Sequence, residues 1–178
     1  MTNRAFLRET SATAHRLAEN AWLSDGRFSG RDRYFAWLET LRQTHAYIAM
    51  PANAVIAPVA GCAEERARLR AFAHDLNTYR SPAPQVACCP DYSWAWGACY
   101  AINGSALGAA AMIRRGLLED DWPVAYVTHM ADYARSGVLA GFLRDLDRQV
   151  LDLEAARKGT LAVFAALSEP ERFRRMVA

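Results

Sequence analysis

The chain reads as an all-α, single-domain protein, and three observations carry that reading. Alanine, the residue with the highest helix propensity, occurs 35 times. Alternating β-branched stretches are almost absent, while apolar residues recur at spacings of three and four. The length of 178 residues fits one domain spanning 1–178 and is enough to bury a core without disulfides or a structural metal. No internal repeat or second domain is visible. About seven or eight helices are expected.

The elements follow in order. A first helix is expected over 2–19, with Thr2 or Asn3 as its cap and Phe6, Leu7, Ala14 and Leu17 among its apolar positions. Asp25-Gly26 and Ser29-Gly30 punctuate a loop. A second helix covers 31–50, where Tyr34, Trp37, Leu38, Leu41, His45 and Ile48 fall three or four apart. Pro51 and Pro58 bracket an irregular or broken helical stretch, because proline lacks the N–H that a helix interior uses. Residues 62–77 form an amphipathic, Arg/Glu-rich segment, and Ser81-Pro82-Ala83-Pro84 through Pro90 reads as a loop. An apolar, glycine-interrupted helix is expected over 91–118. Helices near 123–136, 137–152 and 154–167 follow, with a short one after Pro170.

Charge and composition exclude several classes. Hydrophobic residues make up 52% and charged residues 22%, the balance of a globular protein and not a disordered one. The net charge of +2 argues against nucleic acid as a partner. Lys158 is the only lysine, so nearly every basic residue is arginine, a bias that a GC-rich genome would supply. No stretch approaches the ~20 apolar residues of a membrane span, and the first residues lack the apolar core of a secretory signal. Cys62, Cys88, Cys89 and Cys99 form no CxxC pair and read as reduced thiols. A cytoplasmic location is therefore expected.

Few motifs for chemistry are present. Glu-x-x-His, His-x-x-x-His, Gly-x-Ser-x-Gly, GxGxxG and GxxxxGK[ST] are all missing, which leaves no support for di-iron, zinc-hydrolase, serine-hydrolase or nucleotide sites. Two features remain. On the first helix, His15 and Glu19 are four apart and share a face, with Arg8 two turns before His15. A metal-binding histidine commonly donates its second ring nitrogen to such a carboxylate; the plain alternative is a surface histidine in an i,i+4 pair. The second feature is Gly104 and Gly108 inside a helix, each costing about 1 kcal/mol relative to alanine. Close approach of another helix, or of a flat ligand, would justify that cost.

Taken together, Arg-Glu-Thr-x-x-x-Ala-His-x-x-Ala-Glu-Asn at 8–20 and Tyr-x-x-x-Gly-Ser-x-Leu-Gly-Ala at 100–109 resemble the haem oxygenase family. The nearer likeness is to its bacterial branch, which includes enzymes paired with bacteriophytochromes. The resemblance is strongest at 6–20 and 96–115, moderate at 141–167, and one of helical pattern alone over 31–80. It implies a helical fold that sandwiches haem between a proximal N-terminal helix and a kinked, glycine-containing distal helix. His15 falls on the iron ligand and Glu19 on the carboxylate that contacts it. Gly104 and Gly108 fall on the distal glycines over the haem, and Ser105 lies in the same catalytic stretch. Arg8 and Tyr100 fall on positions that contact haem propionates. Arg144 matches the C-terminal basic residue with that role, and Arg148 is the alternative match. There are departures. Asn103 stands where many bacterial members carry an acid. Ser105 stands where animal members carry an acid that orders distal water, and where bacterial members commonly have serine. Ala109 replaces a glycine.

The resemblance implies oxidative cleavage of haem b, iron protoporphyrin IX, to biliverdin, CO and ferrous iron. Haem is then both cofactor and substrate, and the protein supplies orientation and sterics. The reaction needs O2, and it needs an external donor such as a ferredoxin or a reductase, because no NAD or flavin motif is present. Three other readings stay open: a haem carrier or sensor of the same fold without turnover, the thiaminase-like branch with a nucleophilic cysteine, and a helical interaction module that binds no haem. Elsewhere, His45 reads as a core or pocket-edge residue and His74-Asp75 as a surface pair at a helix end. Trp94 and Trp96 read as packing residues, Arg172, Arg174 and Arg175 as a solvated cluster, and His129 is unassigned.

Overall fold

A computed structural model describes residues 1–24, 26–60, 63–77 and 91–177. Nine α-helical segments occur among them: α1 (Asn3–Trp22), α2 (Arg31–Thr44), α3 (Met50–Ala60), α4 (Ala63–Asp75), α5 (Tyr92–Arg114), α6 (Ala125–Arg135), α7 (Val138–Arg148), α8 (Leu153–Ser168) and α9 (Pro170–Val177). A π turn, His45–Ala49, joins α2 to α3, so these two form one continuous rod and the described residues form eight rods. No strand occurs among the described residues; Ser24 and Arg27 make an isolated bridge. Among the described residues, no helix is long and apolar enough to cross a membrane. The expected loop at 81–90 and Cys62, Cys88 and Cys89 lie outside the described residues.

Capping side chains set several helix starts. The Thr2 hydroxyl accepts from the Ala5 N–H, and the Asp91 carboxylate accepts from Trp94. Asp152 accepts from both Glu154 and Ala155. Each cap satisfies an N–H that the helix leaves without a partner. Helix α6 has no such residue of its own, and Asp75 at the end of α4 serves it instead. The Asp75 carboxylate accepts from the N–H groups of Ala125 at 2.9 Å and Tyr126 at 2.8 Å. This corrects the expectation of a surface pair: the His74 side chain is 78% exposed, while that of Asp75 is fully buried.

The rod does not break at Pro51, contrary to expectation. Proline cannot donate to the carbonyl four residues back, and its ring crowds that carbonyl. One residue earlier the helix widens, so that the Met50 N–H reaches the His45 carbonyl. The π turn absorbs the misfit while the helical path continues.

A single core runs through the molecule, with Leu7, Tyr34, Leu38, Trp96, Ile102, Tyr126 and Leu146 among its most buried side chains. Helix α8 is central to the arrangement, packing against both α1 and α5. Its crossing with α5 depends on two glycines. A Cβ on Gly97 would lie 1.7 Å from the Ala156 carbonyl oxygen, and one on Gly159 would lie 2.0 Å from that of Trp94. Thr160 pins the crossing by donating its hydroxyl to the Gly97 carbonyl at 2.9 Å. Trp96 stacks on Phe142 of α7, and Trp94 packs at the core margin, as expected of packing residues.

Candidate functional site

Helices α1 and α5 both lean on α8. The His15 side chain is 57% exposed, and its ring sits edge-on to Phe164 of α8, with centroids 5.4 Å apart. Its Nδ1 lies 3.7 Å from Glu19 Oε2, closer to an ion-pair contact than to a good hydrogen bond. No hydrogen bond or ion pair engages Nε2 among the described residues. The imidazole is therefore oriented from two sides and keeps one nitrogen for a ligand.

Gly104 and Gly108 both lie on α5. The α-helical pattern of α5 continues through Gly104 and Gly108. A Cβ built on either glycine would meet nothing within 4 Å. These glycines thus leave open space, whereas Gly97 and Gly159 make the close helix contacts. Leu107, between the two open glycines, is 60% exposed, and Leu17 on α1 is exposed as well.

The basic positions are distributed unevenly. Arg8 is exposed on α1 and acts electrostatically on Tyr100 of α5. Burial raises the Tyr100 phenol above its ordinary value and the Arg8 cation opposes this, so the two groups face one region. Arg144 is exposed on α7, with no hydrogen bond or ion pair among the described residues, whereas Arg148 is paired with Asp145 at 3.4 Å. Of the two candidate matches, Arg144 is the one available to a ligand. At the C-terminus, Arg172 and Arg174 pair with Glu169 and Glu171, which fits a solvated cluster.

Behind α5 lies a polar cluster that the sequence did not reveal. His45 and Glu65 are both buried, and His45 Nδ1 meets Glu65 Oε1 in a short contact. His45 Nε2 lies 3.1 Å from the Tyr126 hydroxyl. Glu65 Oε2 accepts from Asn53 at 3.1 Å and from Arg68 at 3.3 Å, and Arg68 donates to Asn103 Oδ1 at 2.7 Å. The Arg68 guanidinium also covers the Tyr133 ring, and Cys99 donates to Asn53. Burial pushes the Glu65 carboxyl upward, but His45 and Arg68 outweigh it and hold it below the usual carboxylate range. Burial raises the Tyr126 phenol far above its ordinary value, against the pull of Arg68. Among the described residues, no group of three or more His, Cys, Asp or Glu side chains is placed to hold a metal ion.

No family model, curated protein or solved structure matches this chain.

Proposed function

We propose that the protein is a haem oxygenase. It would bind haem b between α1 and α5 and convert it to biliverdin, CO and ferrous iron, using O2 and a separate electron donor such as a ferredoxin or reductase. The reading rests on the resemblance at 8–20 and 100–109. One observation carries it further: the space left open over Gly104 and Gly108. Two mid-helix glycines whose Cβ would meet nothing leave room for a flat ligand against α5.

The residues present fit haem. The free Nε2 of His15 would hold the haem iron, as a neutral imidazole suits iron that binds O2. Glu19 and the Phe164 edge would help to hold the imidazole plane. Arg8, Tyr100 and Arg144 supply donors for propionates, with charge-assisted bonds from the guanidinium groups. Bound haem supplies the iron that activates O2, and its own porphyrin is the substrate. The chain would contribute orientation and room over the glycines. A cytoplasmic setting and a bacteriophytochrome as functional partner belong to this same reading.

The test is the absorption spectrum of the haem complex before and after a reductant is added in air. A Soret band of a histidine-ligated complex, followed by conversion to a verdin spectrum with CO release, is the expected result. A stable complex without conversion would make the protein a carrier or sensor. Absence of any Soret band on haem titration would remove the reading altogether.

A further inference from the structure

Arg68 is 1% exposed, and its guanidinium is held from three directions. Nη1 lies 3.3 Å from Glu65 Oε2, Nη2 donates to Asn103 Oδ1 at 2.7 Å, and the central carbon lies 4.6 Å from the centre of the Tyr133 ring. Asn103 is 5% exposed and immediately precedes Gly104 on α5. A guanidinium has donors only, so the atom of Asn103 that faces it has to be the amide oxygen. Nδ2 is the other corner of the same planar group and is turned away from Arg68. It donates to no acceptor among the described residues, yet it is not sealed from solvent. We propose that Asn103, with its amide orientation fixed by Arg68, is a hydrogen-bond donor to a small oxygen-bearing ligand held over Gly104. The identity of that ligand rests on the haem reading; the fixed amide does not.

Helix geometry sets this donor beside the open space. Each residue of an α-helix advances about 100° around the axis. Tyr100, Gly104, Leu107 and Gly108 therefore share one face of α5, and Asn103 falls at its margin, one turn before Leu107. That face is open: a Cβ on Gly104 or Gly108 would meet nothing within 4 Å, and Leu107 is 60% exposed. The face of α5 beyond Asn103 is closed by the buried cluster, where Cys99, one turn earlier, donates to Asn53.

The residue types favour this over a contact that serves the core alone. Glu65 already supplies the counter-charge for the buried Arg68 cation. A carboxylate at position 103 would satisfy Arg68 as well, but it could only accept. A carboxamide accepts on one side and donates on the other, which is what a residue between a guanidinium and a ligand oxygen needs. A buried amide donor without an acceptor carries a desolvation cost, and a bound ligand oxygen removes it. Glu65 and Arg68 act through Asn103 and are positioning residues: the carboxylate holds the guanidinium, and the guanidinium holds the amide oxygen.

Two variants separate the roles. Asn103→Asp keeps an acceptor for Arg68 and removes the donor; Asn103→Leu removes both. In the haem-free protein, NMR should show separate Arg68 Nη proton signals, the mark of a guanidinium that does not rotate freely. They should persist in Asn103→Asp and merge in Asn103→Leu; merged signals in the wild type would overturn the fixed amide. The donor is read with CO as the probe, bound to the ferrous haem complex. A donor beside the CO oxygen lowers the C–O stretching frequency, so both variants should raise it while keeping the Soret band. Both should also release O2 about tenfold faster, the equivalent of one lost hydrogen bond. An unchanged C–O stretch in haem-bound variants would overturn the donor, and so would a shift in Asn103→Asp alone, which would reflect the added charge. If the wild-type protein binds no haem, the functional reading fails and the ligand assignment falls with it, while the Arg68 signals still decide the fixed amide.

Discussion

At the scale of single residues, the proposed site depends on a histidine whose Nε2 has no hydrogen bond or ion pair among the described residues. His15 has a free Nε2, while His45 is already engaged at both nitrogens. His15→Ala should therefore abolish the histidine-ligated haem spectrum and turnover, and added imidazole should restore part of both. A variant with the wild-type ferrous spectrum and rate would mean that another residue binds iron. The propionate contacts are separable from this. A charge-assisted hydrogen bond contributes about 1.5–3 kcal/mol, and the Arg8 and Arg144 guanidinium groups are exposed and available. Removing both should weaken haem binding or broaden the biliverdin isomer pattern seen on chromatography. Unchanged affinity with an unchanged isomer ratio would refute the assignment.

At the scale of elements, the glycines of α5 and α8 divide into two kinds, and stability should separate them. Gly159→Ala forces a Cβ to within 2.0 Å of a backbone oxygen, where no flexible side chain can yield. Overpacking of this kind costs about 1–3 kcal/mol, and a lower melting temperature of the haem-free protein is expected. Gly108→Leu meets nothing, and it replaces a poor helix former. Its haem-free form should melt at or slightly above wild type, while haem turnover is lost because the side chain fills the space above the ring. A destabilised Gly108→Leu protein with normal haem degradation would show that this glycine serves packing. The sequence made the two kinds indistinguishable, since spacing reveals a glycine in a helix but not what approaches it. The helices themselves were legible, because alanine content, apolar period and the Thr2 cap are local signals. Asp75 was not legible as a buried group, because its partners are backbone N–H groups about 50 residues away. Glu65 and Arg68 were hidden for a related reason. In an Arg/Glu-rich helix, charged residues read as the solvent face, and only tertiary packing shows that these two point inward.

At the scale of the whole molecule, Glu65 joins more of the fold than any other charged side chain described above. Through His45 and Asn53 it ties the long α2–α3 rod to α4, through Arg68 and Asn103 it reaches α5, and through His45 and Tyr126 it reaches α6. Its carboxyl is held below the ordinary glutamate value, about 4.3. A group whose folded value is depressed stabilises the fold above its unfolded value, and this contribution fades as pH falls through the folded one. The wild-type protein should thus be fully stabilised by Glu65 at neutral pH and lose that stabilisation progressively below about pH 4. Glu65→Gln leaves the Arg68 cation without its carboxylate, and breaking a buried pair costs about 3–5 kcal/mol. The variant should melt lower than wild type at neutral pH. It should also lose less stability on acidification, because the group that titrates is gone. Thermal melts of both proteins from neutral pH to about pH 3 would check this. Parallel curves would show that Glu65 does not drive the acid transition. Convergence of the two curves as pH falls would identify the Glu65 cluster as the acid-labile joint among the rod, α4, α5 and α6.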